Sequence, residues 1–98
     1  MNDLRFEWHP GKAASNLTKH KVSFEEAKSI FYDEKAILIH DPEHSQAEDR
    51  FLLLGMSPGA KFLVVCHCER EGGNVIRIIS ARKAVRAEQA TYLKRIKP

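Results

Sequence analysis

Four short apolar runs in the second half of the chain, residues 36–40, 51–56, 62–68 and 75–80, constrain the fold more than any other feature. Each has the length of a strand and is bounded by turn chemistry. Ser57-Pro58-Gly59 and Gly72-Gly73-Asn74 are compact connections of the kind that close hairpins. The last three runs are therefore predicted to form an antiparallel meander, with residues 41–49 as a longer polar loop. Phe51-Leu52-Leu53-Leu54 is apolar at every position, and a strand of that kind needs cover on both sheet faces.

The two ends of the chain must supply the cover. Phe6 and Trp8 alternate with Arg5 and Glu7 as a short strand ending at His9-Pro10, and Pro10 opens a helix in which Ala13, Ala14 and Leu17 recur at helical spacing through His20. Ser23 and Glu26 form a capping box at the start of a second helix with Phe24, Ala27 and Phe31 on its apolar stripe. A third helix is predicted to start directly after the fourth run, turning Val85, Gln89, Tyr92, Leu93 and Ile96 towards the sheet. The expected fold is α+β, an antiparallel sheet flanked by helices in the order β-α-α-β-β-β-β-α. With 98 residues it makes one domain, 1–98, able to bury roughly 65% of its unfolded surface without disulfide or metal.

Charge says less by total than by position: 16 Lys and Arg against 13 Asp and Glu leave +3, a weak argument for a polyanionic partner. No apolar run approaches the roughly 20 residues of a membrane helix, and no secretory signal opens the sequence, so no membrane partner and a reducing cytoplasm are expected. Cys66 and Cys68 flank His67, but strand alternation puts both sulfurs on one face and the imidazole on the other, so the three do not converge on a metal and no cofactor is expected. There is no Walker A loop, dinucleotide glycine fingerprint or His-Glu-x-x-His motif.

The chemistry concentrates in Arg77-Ile78-Ile79-Ser80-Ala81-Arg82-Lys83-Ala84. Read as a strand turning directly into a helix, it sets Arg82 and Lys83 at an electropositive helix start, where an anion would stabilise them. On the strand, Val75, Arg77 and Ile79 share one face and Ile76, Ile78 and Ser80 the other. This reading requires that no acidic neighbour neutralise Arg77 and Arg82 one by one. Lys19-His20-Lys21 ends the first helix, where cations complement the dipole, and with Arg50, Arg77, Arg82, Lys83 and Arg86 it would complete a basic patch. His67, between apolar neighbours, is either a hydrogen-bonded core residue or a proton shuttle, and Glu48 pairs with Arg50 at a loop end or acts as a base. Phosphate binders beside imidazoles suit RNA cleavage in which a 2′-hydroxyl attacks the adjacent phosphorus. A non-catalytic RNA-binding or protein-interaction module is the alternative.

Phe6-Glu7-Trp8, Asn16-Leu17 through Lys19-His20 into Val22-Ser23-Phe24-Glu25-Glu26-Ala27, Glu48-Asp49-Arg50 with Gly55, and Ile78-Ile79-Ser80-Ala81-Arg82-Lys83-Ala84 with Glu88 and Tyr92 together resemble the BrnT family of toxins over nearly the whole chain. The resemblance implies a RelE-like fold and a type II toxin whose RNA cleavage blocks translation. It also implies a BrnA-type antitoxin that binds operator DNA on behalf of the complex, with a toxin homodimer inside that complex as one expected assembly. Matching motifs carry over Lys19, His20, Arg50, Arg77 and Arg82; with His67 added from its own chemistry, Arg82, Arg77, His20 and His67 are the expected catalytic residues. Lys19, Arg50, Lys83 and Arg86 are expected to hold RNA, and Glu88 to support them. Two positions depart from the family pattern: His9 stands where Asp is expected before the proline, and Lys21 where Gly commonly ends the helix.

Overall fold

The computed structural model describes residues 3–41 and 48–96, so most of the loop expected over residues 41–49 lies outside the described residues. The elements are β1 (Arg5–Glu7), α1 (Pro10–His20), α2 (Phe24–Ser29) with a 3-10 turn (Ile30–Tyr32), β2 (Ile37–Asp41), β3 (Arg50–Met56), β4 (Phe62–Arg70), β5 (Val75–Lys83) and α3 (Arg86–Ile96), in the predicted order. The five strands form one sheet in the order β1-β5-β4-β3-β2. β2 through β5 are antiparallel neighbours, whereas β1 joins β5 in parallel.

Alternation divides the side chains between two cores. One face packs Leu53, Leu63, Val65, Ile76, Ile78 and Ala81 under Val22 and the α2 residues Phe24 and Ala27, continued by Ile30. Gly55 allows the close approach: a Cβ there would stand 3.1 Å from the Cβ of Ile30. On the opposite face α3 inserts Tyr92 among Leu54, Val64 and Ala84. Its hydroxyl donates to Asp33 Oδ2 at 2.7 Å, and burial together with that carboxylate pushes the phenol up to about 12. The same oxygen of Asp33 accepts from the Met56 N–H at 2.9 Å, tying α3 to the end of β3.

Local chemistry departs from expectation at three places. α3 starts at Arg86 rather than directly after the fourth run, because β5 continues to Lys83; its apolar face is thinner than predicted, with Val85, Leu93 and Ile96 exposed and Tyr92 alone buried. α1 buries Asn16 and leaves Leu17 half-exposed. Of the capping box, Ser23 Oγ accepting from the Glu26 N–H is the half observed, while the Glu26 carboxylate reaches towards Lys61.

Lys21 ends α1 in the left-handed region, at φ 61° and ψ 27°, with its N–H donated to the Leu17 carbonyl. A Cβ makes that conformation costly, whereas glycine adopts it freely. Lys21→Gly is expected to raise stability by about 0.5–1 kcal/mol, after glycine's greater unfolded-state entropy is set against the relief. Urea denaturation reads this directly; an unchanged or lower midpoint contradicts it.

Candidate functional site

The site begins where a strand stops. β1 covers only Val75, Ile76 and Arg77 of β5 before Pro10 turns the chain into a helix, so among the described residues the outer edge of β5 beyond that point has no partner strand. Its backbone groups still need hydrogen bonds, and the side-chain amide of Asn16 provides them. Oδ1 accepts from the Ala81 N–H at 3.0 Å, while Nδ2 donates to the Ala81 and Val22 carbonyls at 2.9 Å each, the residue being 6% exposed. α1 thus lies along the free edge of β5. Between helix and strand opens a cleft of ≈ 560 Å³ lined by His9, Gly11, Lys12, Ser15, Asn16, Lys19, His20, Ile79 and Ser80. Lys19 and His20 are brought together there, near the helix end whose dipole complements cations.

A bulge in β5 changes which arginines share a face. Register runs Cys68↔Arg77 and His67↔Ile78 and then jumps to Cys66↔Ser80 and Val64↔Arg82, so one extra residue is accommodated beside Cys66 and His67. Strict alternation set Ser80 opposite Arg77; with the bulge, Arg77, Ser80 and Arg82 lie on one face, together with both cysteines. Cys66 and Cys68 are free thiols whose pKa values burial pushes up. Arg50 joins that face in a row that crosses all five strands, Asp41–Arg50–Cys68–Arg77–Glu7.

The electropositive strand-to-helix corner expected from sequence is not formed. Arg82 and Lys83 belong to β5 rather than to a helix start, and both arginines have carboxylates of their own. Arg77 donates to Glu7 at 3.0 Å. Arg82 makes a two-pronged pair with Glu88 at 2.8 and 2.9 Å, and Glu88 also accepts from the Val85 N–H at 2.8 Å, bracing the first turn of α3. The pairing holds the Glu88 carboxyl below, and the Arg82 guanidinium above, its ordinary pKa. Lys83 and Arg86 are exposed. Glu48, expected beside Arg50, instead accepts from Arg70 at 3.3 and 3.4 Å.

His67 goes to the core. It has no exposed surface, lies 4.8 Å from the Phe31 ring and 5.9 Å from Phe51 between centroids, and does not line the cleft. An imidazole sealed in this way does not reach a phosphate, and the structure places His67 in the core rather than at the cleft. Nδ1 is 3.4 Å from the Val65 carbonyl, while Nε2 has no hydrogen-bond partner and stands 3.6 Å from Glu69. Burial lowers the pKa from 6.5, and the Val65 carbonyl and Glu69 offset it only in part. The unfolded chain therefore binds a proton in a window where the folded protein does not, so stability rises with pH between the depressed folded value and 6.5, by at most about 1.4 kcal/mol per pH unit. Urea midpoints measured from pH 5 to 7 should show this slope, and His67→Leu should flatten it; an equal slope in the variant contradicts the assignment.

Sequence reasoning missed His9 and Lys12 as cleft residues and Asn16 as its support. His9 stands where the family pattern has Asp, yet its Nδ1 accepts from the Gly11 N–H at 3.0 Å and the Lys12 N–H at 3.4 Å, capping α1 with an imidazole. Among the described residues no three His, Cys, Asp or Glu side chains gather as a metal site needs, and no helix is long and apolar enough to cross a membrane.

Comparison with known proteins bears on this geometry. A family model described as the ribonuclease toxin, BrnT, of type II toxin-antitoxin systems matches residues 8–88. No curated protein matches the sequence significantly. Among solved structures, the crystal structure of the Brucella abortus ribonuclease toxin BrnT superposes with a TM-score of 0.64 at 19% identity, covering 85% of this chain and 99% of that one, a likeness of fold. With the family match spanning β5, α1 and the cleft between them, the chain belongs to the BrnT family of ribonuclease toxins of type II toxin-antitoxin systems.

Proposed function

We propose that the protein is a metal-independent endoribonuclease that halts translation by cutting RNA in the cleft between α1 and β5. The observation that carries this reading is that Lys12 and Lys19, His9 and His20 all line one cleft along α1, with Ser80 of β5 on its other wall. RNA brings its own nucleophile. Proton removal from a 2′-hydroxyl lets that oxygen bond to phosphorus, the bond to the 5′-oxygen breaks, and a proton delivered to that oxygen completes the step, leaving a 2′,3′-cyclic phosphate and a 5′-hydroxyl. His20 moves protons at this centre, and Lys19 stabilises the charge on the phosphorane. Arg82 and Arg77, each neutralised by its own carboxylate, flank Ser80 and brace the strand beside the cleft rather than hold the scissile phosphate, while Arg50, Lys83 and Arg86 hold the RNA backbone further out.

A cognate antitoxin of BrnA type masks this surface in the cytoplasm, and the complex binds operator DNA through the antitoxin. The test is incubation of purified protein with a mixed-sequence RNA and excess EDTA. Cleavage with cyclic-phosphate ends is expected. RNA that stays intact while bound in a salt-sensitive way overturns the enzymatic reading in favour of a binding module of the same fold, and cleavage that EDTA abolishes overturns metal independence.

A further inference from the structure

We infer that His9 is an RNA-contacting residue that donates a hydrogen bond from Nε2 to a phosphate flanking the one that is cut; this rests on the cleft being the RNA site. The tautomer of His9 decides this. A neutral imidazole carries one ring proton, and the nitrogen that accepts a hydrogen bond cannot hold it. Nδ1 accepts from the backbone N–H groups of Gly11 and Lys12, at the end of α1 where unpaired N–H groups point outward. The proton is therefore on Nε2, and the ring is locked as a donor on a residue that lines the cleft.

The site is fitted to the ring. A Cβ on residue 11 would stand 2.9 Å from His9 Cε1 and 3.1 Å from Nδ1, so Gly11 leaves the space the imidazole occupies. Most N-cap residues, such as Ser or Asp, use the same acceptor geometry but present no ring N–H. The cap thus performs two tasks, satisfying the helix end and turning a donor outward. His9 and His20 are at opposite ends of the 11-residue α1, about 16 Å apart along its axis. That separation is too long for both to act on one phosphorus, which assigns His9 to a neighbouring phosphate and to binding rather than bond breaking.

The consequence is a split in the kinetic constants. With a mixed-sequence RNA, His9→Asn, which keeps a neutral cap acceptor, and Gly11→Ala, which keeps the imidazole but displaces it, should each raise KM roughly 10- to 100-fold, the size of a hydrogen bond to a charged group, with kcat within about twofold. Wild-type KM in both variants, with cleavage still lost in His20→Ala, overturns the role of His9 and leaves the cleft as the site. Should the wild type bind RNA without cutting it, the same variants are read by affinity for a 2′-O-methylated copy of that RNA, and unchanged affinity overturns the inference. Nitrogen-15 NMR of the imidazole supplies an activity-independent readout: a protonated Nε2 and bare Nδ1 are expected, and the opposite tautomer contradicts the proposal.

Discussion

Asn16→Ala is expected to lower the melting temperature by on the order of 15 °C. The side chain is nearly buried and makes three hydrogen bonds to backbone, two to Ala81 and one to Val22. Truncation leaves one N–H and two carbonyls without partners in a place where water has little access. At about 1–3 kcal/mol for each such group, and with partial relaxation, the loss is about 3 kcal/mol. Asn16→Asp should be at least as damaging, because a carboxylate keeps the acceptor but sets a charge against two carbonyl oxygens. Calorimetry of both variants checks the argument. A fall of less than about 3 °C would show that α1 is held to β5 by something other than this amide.

The second large effect is chemical. His20→Ala is expected to lower kcat by about 10²- to 10⁴-fold, the range for loss of a positioned acid or base, with little change in the melting temperature, since His20 is part-exposed at the end of α1 and contributes only a modest dipole interaction there. Lys19→Ala should cost activity too and reduce the salt dependence of RNA binding by about one counterion. Steady-state cleavage kinetics alongside thermal melts distinguish these outcomes from misfolding. A His20→Ala protein that melts like the wild type and retains full kcat removes that imidazole from the mechanism.

Element order was legible in the sequence because it follows from local signals: Pro10 opening α1, Ser23 capping α2, and the glycine and proline turns between strands. Sheet pairing among β3, β4 and β5 followed from short connections. The bulge beside Cys66 and His67 did not, because an extra residue in one strand leaves no mark on hydrophobic pattern, and it moves Ser80 and Arg82 to the face that alternation denied them.

The site was half legible for a related reason. Lys19 and His20 stand out as cations at a helix end, but the acids that hold Arg77 and Arg82 come from β1 and α3, 70 and 6 residues away, and pairing at that range is invisible without the fold. Asn16 looked like one polar residue on a helix. Its importance comes from the free edge of β5, which exists only because β1 ends at Glu7. His67 shows the reverse: a residue with catalytic chemistry placed by strand parity against the ring of Phe31.

The central claim is that RNA occupies the cleft where α1 closes the edge of β5. Its most direct test is a proton–nitrogen NMR titration of the protein with a 2′-O-methylated RNA, which binds without being cut. The account expects the largest shifts at Lys12, Ser15, Lys19, His20 and Ser80, with Arg77 and Arg82 following. Shifts confined to α3 or to β2, with the cleft amides unmoved, would contradict it.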